Sequence, residues 1–313
     1  MSLIAALRRL LGTSSETPPA AAAPVRPRIE PRARSVQCCG PHGLHRMHYL
    51  EWGDPANPRV LVCVHGLTRN ARDFDDLARA LSGHYRVICP DVAGRGKSDW
   101  LAVKADYQFP TYVADMFTLL ARLDVEQVDW VGTSMGGLIG MLIASLPGNP
   151  IRKLVLNDVG PLITAQSLRR IGEYVGKSPV FPDRAIAEAY IRAVSAPFGP
   201  LTDAQWAQLT DSSIRQTDAG WVMSYDPGIG DAFRQAPVVL DVDLWPVYDS
   251  IRCPVLLVRG AESDLLLDET AQRMTERGPH ARRVDIPGVG HAPTLMDEAQ
   301  IAPVRSFLLE DGQ

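Results

Sequence analysis

The stretch Gly132-Thr133-Ser134-Met135-Gly136 has the pattern G-x-S-x-G and lies between an apolar run, residues 128–131, and a helix-like segment, residues 137–146. A serine hydroxyl is a poor nucleophile until a base reaches it, so its side chain must stand clear of the backbone on a sharp turn. Such a turn strains the backbone of the serine, and only glycines two positions to either side leave room for it. The pattern therefore predicts a nucleophile at Ser134. The alternative is a tight turn in which Ser134 caps the following helix.

Two later loops carry candidate partners for this serine. Residues 254–259 form a branched, apolar run typical of a buried parallel strand, which ends in Gly260-Ala261-Glu262-Ser263-Asp264. Residues 283–286 predict a short strand, which ends in Pro287-Gly288-Val289-Gly290-His291. Polar residues just beyond the carboxyl ends of parallel strands lie where open α/β sheets bind their ligands. We therefore expect Asp264 and His291 to lie beside Ser134.

In this order the motifs resemble those of the serine-dependent α/β-hydrolase family, of the esterase and carbon–carbon hydrolase type. Members place the nucleophile first, the acid after a later strand and the histidine after the last strand. The resemblance implies a catalytic triad of Ser134, Asp264 and His291, in which the histidine is the base. Two other carboxylates compete for the role of the acid, namely Asp158 after an earlier apolar strand and Glu262 in the same loop. Asp264 matches the family's acid loop best, and Asp158 is expected to cap the entry to the next segment.

An independent match lies upstream of the serine. Residues 60–64 form an apolar strand that leads into His65-Gly66-Leu67-Thr68, which is similar to the family's His-Gly loop. The resemblance implies an oxyanion hole made by the backbone N–H groups of Leu67 and Met135, and a structural role for His65. The next strand leads into Asp91-Val92-Ala93-Gly94-Arg95-Gly96-Lys97-Ser98, which resembles the family's D-x-x-G-x-G-x-S loop. We interpret that loop as structural.

The resemblance implies hydrolysis through an acyl-enzyme, without a cofactor. A small carboxylic ester is the expected substrate, as for a carboxylesterase. The alternatives are a carbon–carbon bond hydrolase of a vinylogous diketone, and a hydrolase of lactones or polyester oligomers. A serine at position 134 argues against haloalkane dehalogenase and epoxide hydrolase chemistry, which the same fold performs with an aspartate there. A non-catalytic, ligand-binding member of the fold is a further alternative, although every triad position is filled here.

The alternation of strands and amphipathic helices, with the resemblance, predicts the α/β-hydrolase fold, a mainly parallel eight-stranded sheet with helices on both faces. The hydrolase core is expected over residues 35–159 and 251–313. Between these parts the strand pattern lapses, and residues 160–250 predict a mostly helical cap insertion in which Asp183 and Thr202 begin helices. The aromatic candidates for the wall of a substrate pocket in this cap are Trp206, Trp221, Tyr225, Phe233 and Trp245.

Composition narrows the remaining classes of function. The chain has 313 residues, of which 46% are hydrophobic and 22% charged, so it can bury a large core. A net charge of −4 gives no footprint for nucleic acid, and a small-molecule acyl substrate is the expected partner, with the oligomeric state left open. No stretch approaches the length of a membrane-spanning apolar helix. The 5 cysteines fit a reducing, cytoplasmic compartment.

Three histidines near the start of the folded part, His42, His45 and His48, are spaced by three residues. Residues of a strand spaced in this way alternate between its two faces, so they cannot converge on one ion. No cysteine or carboxylate pattern completes a ligand shell beside them. We therefore expect surface or edge positions for these histidines, and no metal.

Residues 1–34 differ from the rest of the chain in being rich in alanine, proline and arginine. Such a segment cannot bury a core, and we predict a flexible basic tail. Its first arginines follow the apolar residues instead of preceding them, which argues against a secretory signal. An organelle-targeting leader, or weak attachment to an acidic surface, is the alternative.

Overall fold

A computed structural model describes residues 30–235 and 240–310. Its first element is a hairpin of strands β1 (Arg32–Gly40) and β2 (Gly43–Trp52), in which Arg34 pairs with Tyr49. The boundary expected after residue 34 therefore falls inside a strand, because β1 extends the sheet by three residues before Ser35. The rest of the predicted tail, residues 1–29, lies outside the described residues.

Eight strands form one sheet in the order β1-β2-β4-β3-β5-β6-β11-β12. The six strands from β4 to β12 are parallel, and β1 and β2 are antiparallel to their neighbours. The predicted mainly parallel, eight-stranded sheet is thereby confirmed. The remaining strands of this sheet are β3 (Val60–Val64), β4 (Arg86–Pro90), β5 (Val128–Thr133), β6 (Ile151–Asn157), β11 (Val255–Gly260) and β12 (Arg282–Ile286).

Helices cover both faces of the sheet, because its central strands are apolar on both sides. On β5, Trp130 and Val131 are fully buried and belong to two different hydrophobic clusters, one on each face. Residues that alternate along a strand point to opposite faces, which explains the division. The helices of the core are α1 (Asp75–Leu81), α2 (Phe109–Leu123), α3 (Met135–Ala144), α9 (Asp268–Glu276) and α10 (Glu298–Leu309).

The segment between β6 and β11 contributes no described strand to the large sheet. Two of its helices begin where the sequence predicts, since the side chain of Asp183 accepts a hydrogen bond from the Ile186 N–H and Thr202 forms a reciprocal capping box with Gln205. Its elements are β7 (Leu162–Ile163), α4 (Ala165–Tyr174), α5 (Arg184–Val194), α6 (Asp203–Ser213), β8 (Ile214–Thr217), β9 (Gly220–Met223), α7 (Asp231–Gln235), β10 (Val242–Asp243) and α8 (Trp245–Asp249). We call residues 160–250 the cap segment.

Backbone hydrogen bonds attach the cap segment to loops of the core. The N–H of Gly96 donates to the Ser224 carbonyl, over 3.0 Å, and the N–H of Asp226 donates to a carbonyl of the same loop. On another side, the N–H of Gly290, directly before His291, donates to the Pro197 carbonyl over 2.7 Å. The cap segment is therefore fixed to the loops that follow β4 and β12, beside Ser134.

Two further observations concern the described residues as a whole. No helix among them is long and apolar enough to cross a bilayer. All 5 cysteines lie among them, and none is in a disulfide.

Candidate active site

Ser134 lies on a sharp turn between β5 and α3. Its backbone has φ 52° and ψ −117°, a strained conformation for a residue with a side chain. Both glycines of the motif are required by close approach of the backbone. A Cβ on Gly132 would collide with the backbone of Gly136, and a Cβ on Gly136 would collide with the carbonyl group of Val64, at the end of β3. The turn presents the serine side chain at the carboxyl edge of the sheet.

His291 lies in the loop after β12 and contacts the serine. Its Nε2 is 3.0 Å from Ser134 Oγ, and its Nδ1 is 2.7 Å from Oδ2 of Asp158. The histidine side chain is 18% exposed, whereas that of Asp158 is fully buried. The three side chains therefore form a continuous hydrogen-bonded chain that opens to a cavity at the serine.

Asp158 follows β6 directly and is held in place by four hydrogen bonds. Its backbone has a positive φ of 53°, and its N–H donates to the Val258 carbonyl over 2.7 Å. Its Oδ1 accepts from the Gly260 N–H over 2.8 Å, and its Oδ2 accepts from Ser263 Oγ over 2.6 Å in addition to His291. The carboxylate is thus fixed from three directions, which leaves one orientation for the imidazole ring.

The expectation that Asp264 partners the histidine is wrong. Its side chain is 54% exposed and forms an ion pair with Arg170 of α4. Glu262, the rival in the same loop, is exposed as well. The loop after β11 turns so that Ser263 points toward the site and its two acidic neighbours do not. The sequence signal for the partner of His291 was the position of Asp158 directly after a buried strand. In the structure this strand, β6, lies next to β5, which carries Ser134.

The two residues implied for an oxyanion hole flank the serine. Leu67 lines the same cavity as Ser134, and Met135 follows the serine in the chain. Among the described residues, neither of their N–H groups donates a hydrogen bond to a protein acceptor. Two unpaired amide donors at the start of a helix and on a neighbouring loop can bind a negatively charged oxygen.

His65 shapes the loop that carries Leu67. Its side chain is fully buried, with Nδ1 2.7 Å from the Gly66 carbonyl oxygen and Nε2 accepting from the Val92 N–H over 3.0 Å. Burial lowers the pKa of His65 to about 4, and the nearby Arg95 adds to this effect while Asp91 and the Gly66 hydrogen bond oppose it. The ring is therefore neutral at pH 7, which matches one donating and one accepting nitrogen.

The cavity above Ser134 has a volume of about 150 Å³. Its polar side includes Arg69, which is paired with Asp73 over 2.6 Å and also donates to Ser213 Oγ. The apolar side chains of the cap segment that line it include Ile171, Tyr190, Ile191, Val194, Phe198 and Tyr225. The two charges at Arg69 and Asp73 neutralise each other, so the cavity suits an uncharged, partly apolar group.

Of the aromatic candidates for the pocket wall, Tyr225 lines this cavity. Trp206 and Trp221 do not, because they pack in the hydrophobic cluster inside the cap segment, and this corrects the prediction for both. Phe233 and Trp245 pack against the large core cluster instead. Aromatic side chains in a small helical segment are needed for its own core, and the sequence pattern does not separate that use from contact with a ligand.

One buried group of possible metal ligands lies away from this site. Cys38 and His45 are cross-strand partners in β1 and β2, and Oδ2 of Asp115, on α2, accepts a hydrogen bond of 2.8 Å from His45 Nε2. The expectation that no cysteine or carboxylate accompanies the histidines is thus wrong for His45, since strand register and a distant helix supply both. Burial, reinforced by the neighbouring carboxyl group, raises the pKa of Cys38 to about 12. In the absence of a bound ion the thiol is therefore protonated at pH 7.

Comparison with known proteins gives a consistent picture. A model described as "Alpha/beta hydrolase family" matches residues 61–304 of the chain. The 3-hydroxybutyrate-oligomer hydrolase of Cupriavidus necator is 53% identical over 285 residues, which covers 88% of this chain and 97% of that protein.

Solved structures give the same result. An α/β hydrolase from Novosphingobium aromaticivorans has a TM-score of 0.79 and 37% identity, covering 90% of this chain and 98% of its own. A protein of Rickettsia typhi has a TM-score of 0.83 and 34% identity, covering 91% of this chain and 100% of its own. Because the family match spans most of the sequence and these relatives are covered almost completely, the chain belongs to the alpha/beta hydrolase family.

Proposed function

We propose that the protein is a serine hydrolase that cleaves the ester bonds of short 3-hydroxyalkanoate oligomers. The observation that carries the reaction type is the hydrogen-bonded chain from Ser134 through His291 to Asp158. The substrate class is supported by the 53% identity to the Cupriavidus necator 3-hydroxybutyrate-oligomer hydrolase. A polyester oligomer is the alternative that the sequence left beside a simple carboxylic ester.

The proposed reaction begins with attack of Ser134 Oγ on the ester carbonyl carbon. His291 takes the hydroxyl proton at Nε2, and Asp158 holds Nδ1 so that the ring stays oriented and its positive form is stabilised. The N–H groups of Leu67 and Met135 donate to the oxygen that becomes negative. A donor of this kind contributes roughly 3–4 kcal/mol to the transition state of related hydrolases.

Collapse of the tetrahedral intermediate breaks the bond to the leaving alkoxide, which receives the proton from His291. The released fragment is an alcohol, in this case the hydroxyl end of the departing oligomer. Water then enters, gives a proton to His291 and attacks the acyl-enzyme, and the acid is released as the serine recovers its proton. Each cycle therefore consumes one water molecule and cuts one ester bond.

The cavity supports a short substrate. Pockets for drug-sized ligands measure roughly 300–1,000 Å³, whereas this one measures about 150 Å³. Its apolar side chains suit the methyl groups and methylenes of a 3-hydroxyalkanoate unit, and its neutralised Arg69–Asp73 pair does not repel an uncharged ester link. A simple carboxylesterase is the second candidate, since the same lining accepts a short unbranched acyl chain.

A comparison of substrates tests this proposal. We expect a higher kcat/KM for 3-hydroxybutyrate dimer and trimer than for p-nitrophenyl butanoate, and no cleavage of a vinylogous diketone. A preference for the butanoate ester of ten-fold or more would instead support the carboxylesterase. Binding of oligomer without turnover would support a non-catalytic member of the fold.

The matched control is Ser134→Ala. We expect turnover to fall about 10³-fold or more, because the substitution removes the nucleophile. The thermal midpoint should not change, because the glycines that make the turn possible are kept. A fluorophosphonate probe should label the wild type and leave this variant unlabelled. Turnover above about a tenth of the wild-type rate would show that another residue is the nucleophile.

A further inference from the structure

The loop after β4, Asp91-Val92-Ala93-Gly94-Arg95-Gly96-Lys97-Ser98, is built as a rigid frame. Asp91 Oδ1 accepts from the Ala71 N–H and its Oδ2 from the Lys97 N–H, and Ser98 Oγ donates to the Asp91 carbonyl over 2.5 Å. Gly96 has a positive φ of 55°, and a Cβ there would collide with the Asp91 carboxylate. The frame fixes the backbone on either side of Arg95.

The side chain of Arg95 is fully buried. Its Nε donates to the Leu67 carbonyl over 2.8 Å, its Nη1 donates to the Ala93 carbonyl and to Tyr112 Oη over 2.7 and 2.9 Å, and its Nη2 lies 3.5 Å from Met135 Sδ. Within the part of the chain that the structure describes, no carboxylate is close enough to form an ion pair with this guanidinium group. A buried cation without a counter-ion is costly in free energy, even when its donors are paired.

The guanidinium group of Arg95 packs against two tyrosine rings. It lies over the rings of Tyr112 and Tyr107, with 5.0 and 5.7 Å between the guanidinium carbon and the ring centroids. Tyr107 Oη donates to Asp226, but that carboxylate is already paired with Lys104 over 2.5 Å. His65, whose pKa Arg95 helps to lower to about 4, is neutral at pH 7. Among the described residues, Arg95 thus has no carboxylate in direct contact, and the buried Asp91 carboxylate of the same loop is bound by His48 and by the Ala71 and Lys97 N–H groups instead.

Two contacts of Arg95 are with Leu67 and Met135. These are the residues whose N–H groups face the reacting carbonyl in the proposed mechanism, and they come from different parts of the chain. One planar side chain thus ties the loop after β3 to the start of α3, immediately behind Ser134. A fixed positive charge in a site closed to water acts strongly on a negative charge that develops nearby.

We propose that Arg95 is the positioning residue of the oxyanion hole, and that its positive charge stabilises the anionic intermediate. The proposal rests on the proposed function for the identity of the anion, an acyl tetrahedral intermediate on Ser134. It gives the D-x-x-G-x-G-x-S loop, interpreted from the sequence as structural, a part in the reaction. Arg95 does not touch substrate and acts through Leu67 and Met135.

The first test compares Arg95→Met and Arg95→Lys with the wild type on p-nitrophenyl butanoate and on 3-hydroxybutyrate dimer. The methionine fills similar space but carries no charge and no donor. We expect its kcat to fall about 10- to 100-fold while KM changes less than about 3-fold, because the anion exists only after attack. Lysine keeps the charge but cannot reach both Leu67 and Met135. The kcat of Arg95→Lys should therefore lie between those of the wild type and Arg95→Met.

The second measurement separates this role from a merely structural one. A trifluoromethyl ketone forms a hemiketal with Ser134 whose oxygen carries the negative charge. We expect Arg95→Met to bind it more weakly by the same factor as kcat falls. Tyr112→Phe is the matched control, since it removes one acceptor of Arg95 and leaves the charge and both contacts, so its kcat should stay within about 3-fold.

Two outcomes overturn the proposal. One is an Arg95→Met variant with native circular dichroism whose kcat and ketone affinity stay within two-fold of wild type. If Arg95→Met does not fold, the lysine variant decides, and a loss of kcat without a matching loss of ketone affinity overturns the proposal. Failure of the proposed function looks different: a wild type that cleaves the butanoate ester but not the dimer has another substrate, and the Arg95 comparison on the butanoate ester stands.

Discussion

At the scale of single residues, Asp158 and Asp264 are the same residue type near the same edge of the sheet, but their surroundings differ. Asp158 is fully buried and contacts His291, whereas Asp264 is 54% exposed and contacts Arg170. We expect Asp158→Asn to lower kcat by about 10³- to 10⁴-fold, because an amide disturbs the orientation of the imidazole ring. Asp264→Asn should leave kcat within two-fold, since an exposed ion pair contributes about 1 kcal/mol at most. Steady-state kinetics of both variants on one ester decides, and equal losses would contradict the assignment.

Ser263 gives a second prediction at this scale. Its hydroxyl donates to Asp158 Oδ2 and accepts hydrogen bonds from the N–H groups of Leu265 and Leu266. Ser263→Ala removes one of three donors to the Asp158 carboxylate. A hydrogen bond to a charged group contributes about 1.5–3 kcal/mol, and only part of this affects the transition state. We therefore expect kcat to fall about 3- to 30-fold. Ser263→Thr keeps the hydroxyl and serves as the control. An alanine variant as fast as wild type would show that the other contacts of Asp158 are sufficient.

At the scale of elements, the junction of β5 and α3 depends on the absence of side chains. A Cβ on Gly136 would collide with Val64 at the end of β3, although alanine is a better helix former than glycine. We expect Gly136→Ala to lower the free energy of unfolding by about 1–3 kcal/mol, as overpacking does, and to displace Ser134 enough to lower kcat.

The matched control for this substitution is Gly83→Ala, in the turn after α1. Nothing lies within 4 Å of a Cβ at Gly83, so alanine there should leave the thermal midpoint unchanged or raise it slightly. Thermal unfolding of both variants makes the comparison. A Gly136 variant as stable as the Gly83 variant would mean that α3 can move away from β3 at little cost.

At the scale of the whole molecule, the attachment of the cap segment to the core is uneven. Asp226 is buried and accepts from Tyr107 Oη over 2.6 Å and from Lys104 Nζ over 2.5 Å, whereas the ion pair of Arg170 with Asp264 is exposed. We expect Asp226→Ala to lower the free energy of unfolding by about 2–3 kcal/mol, since it removes the acceptor of the buried Tyr107 hydroxyl and the negative partner of Lys104, whose ammonium group keeps its hydrogen bond to the Leu101 carbonyl. Arg170→Ala should cost less than about 1 kcal/mol.

Chemical unfolding of these two variants, with kcat measured beside it, checks this prediction. Loosening the cap segment should also raise KM of the Asp226 variant, because nine of the described apolar and aromatic side chains that line the cavity above Ser134 come from that segment. Equal stability of the two variants would show that the exposed ion pair holds the cap segment as firmly as the buried one.

Local sequence was sufficient for the features that depend on chain neighbours. The turn at Ser134 follows from two glycines and a strand–helix junction, and the helices that begin after Asp183 and Thr202 follow from capping side chains three residues from their partners. The parallel sheet follows from apolar runs separated by amphipathic helices. Each of these signals lies within about a dozen residues of the structure that it predicts.

Tertiary structure decided what depends on residues far apart in the chain. Asp158 and Asp264 both follow buried strands, and only the turn after β11, which points Ser263 inward, determines which carboxylate meets His291. The aromatic residues of the cap segment divide among its own core, the large core cluster and the cavity, and their spacing in the sequence does not predict this division. Arg95 meets Leu67 and Met135 only because three loops converge at one edge of the sheet.

The sequence by itself determined the fold and the positions of Ser134 and His291, because those signals are local. The partner of His291 and the contacts of Arg95 required the folded chain, because hydrogen bonds between distant loops depend on side-chain direction, which a one-dimensional pattern does not contain.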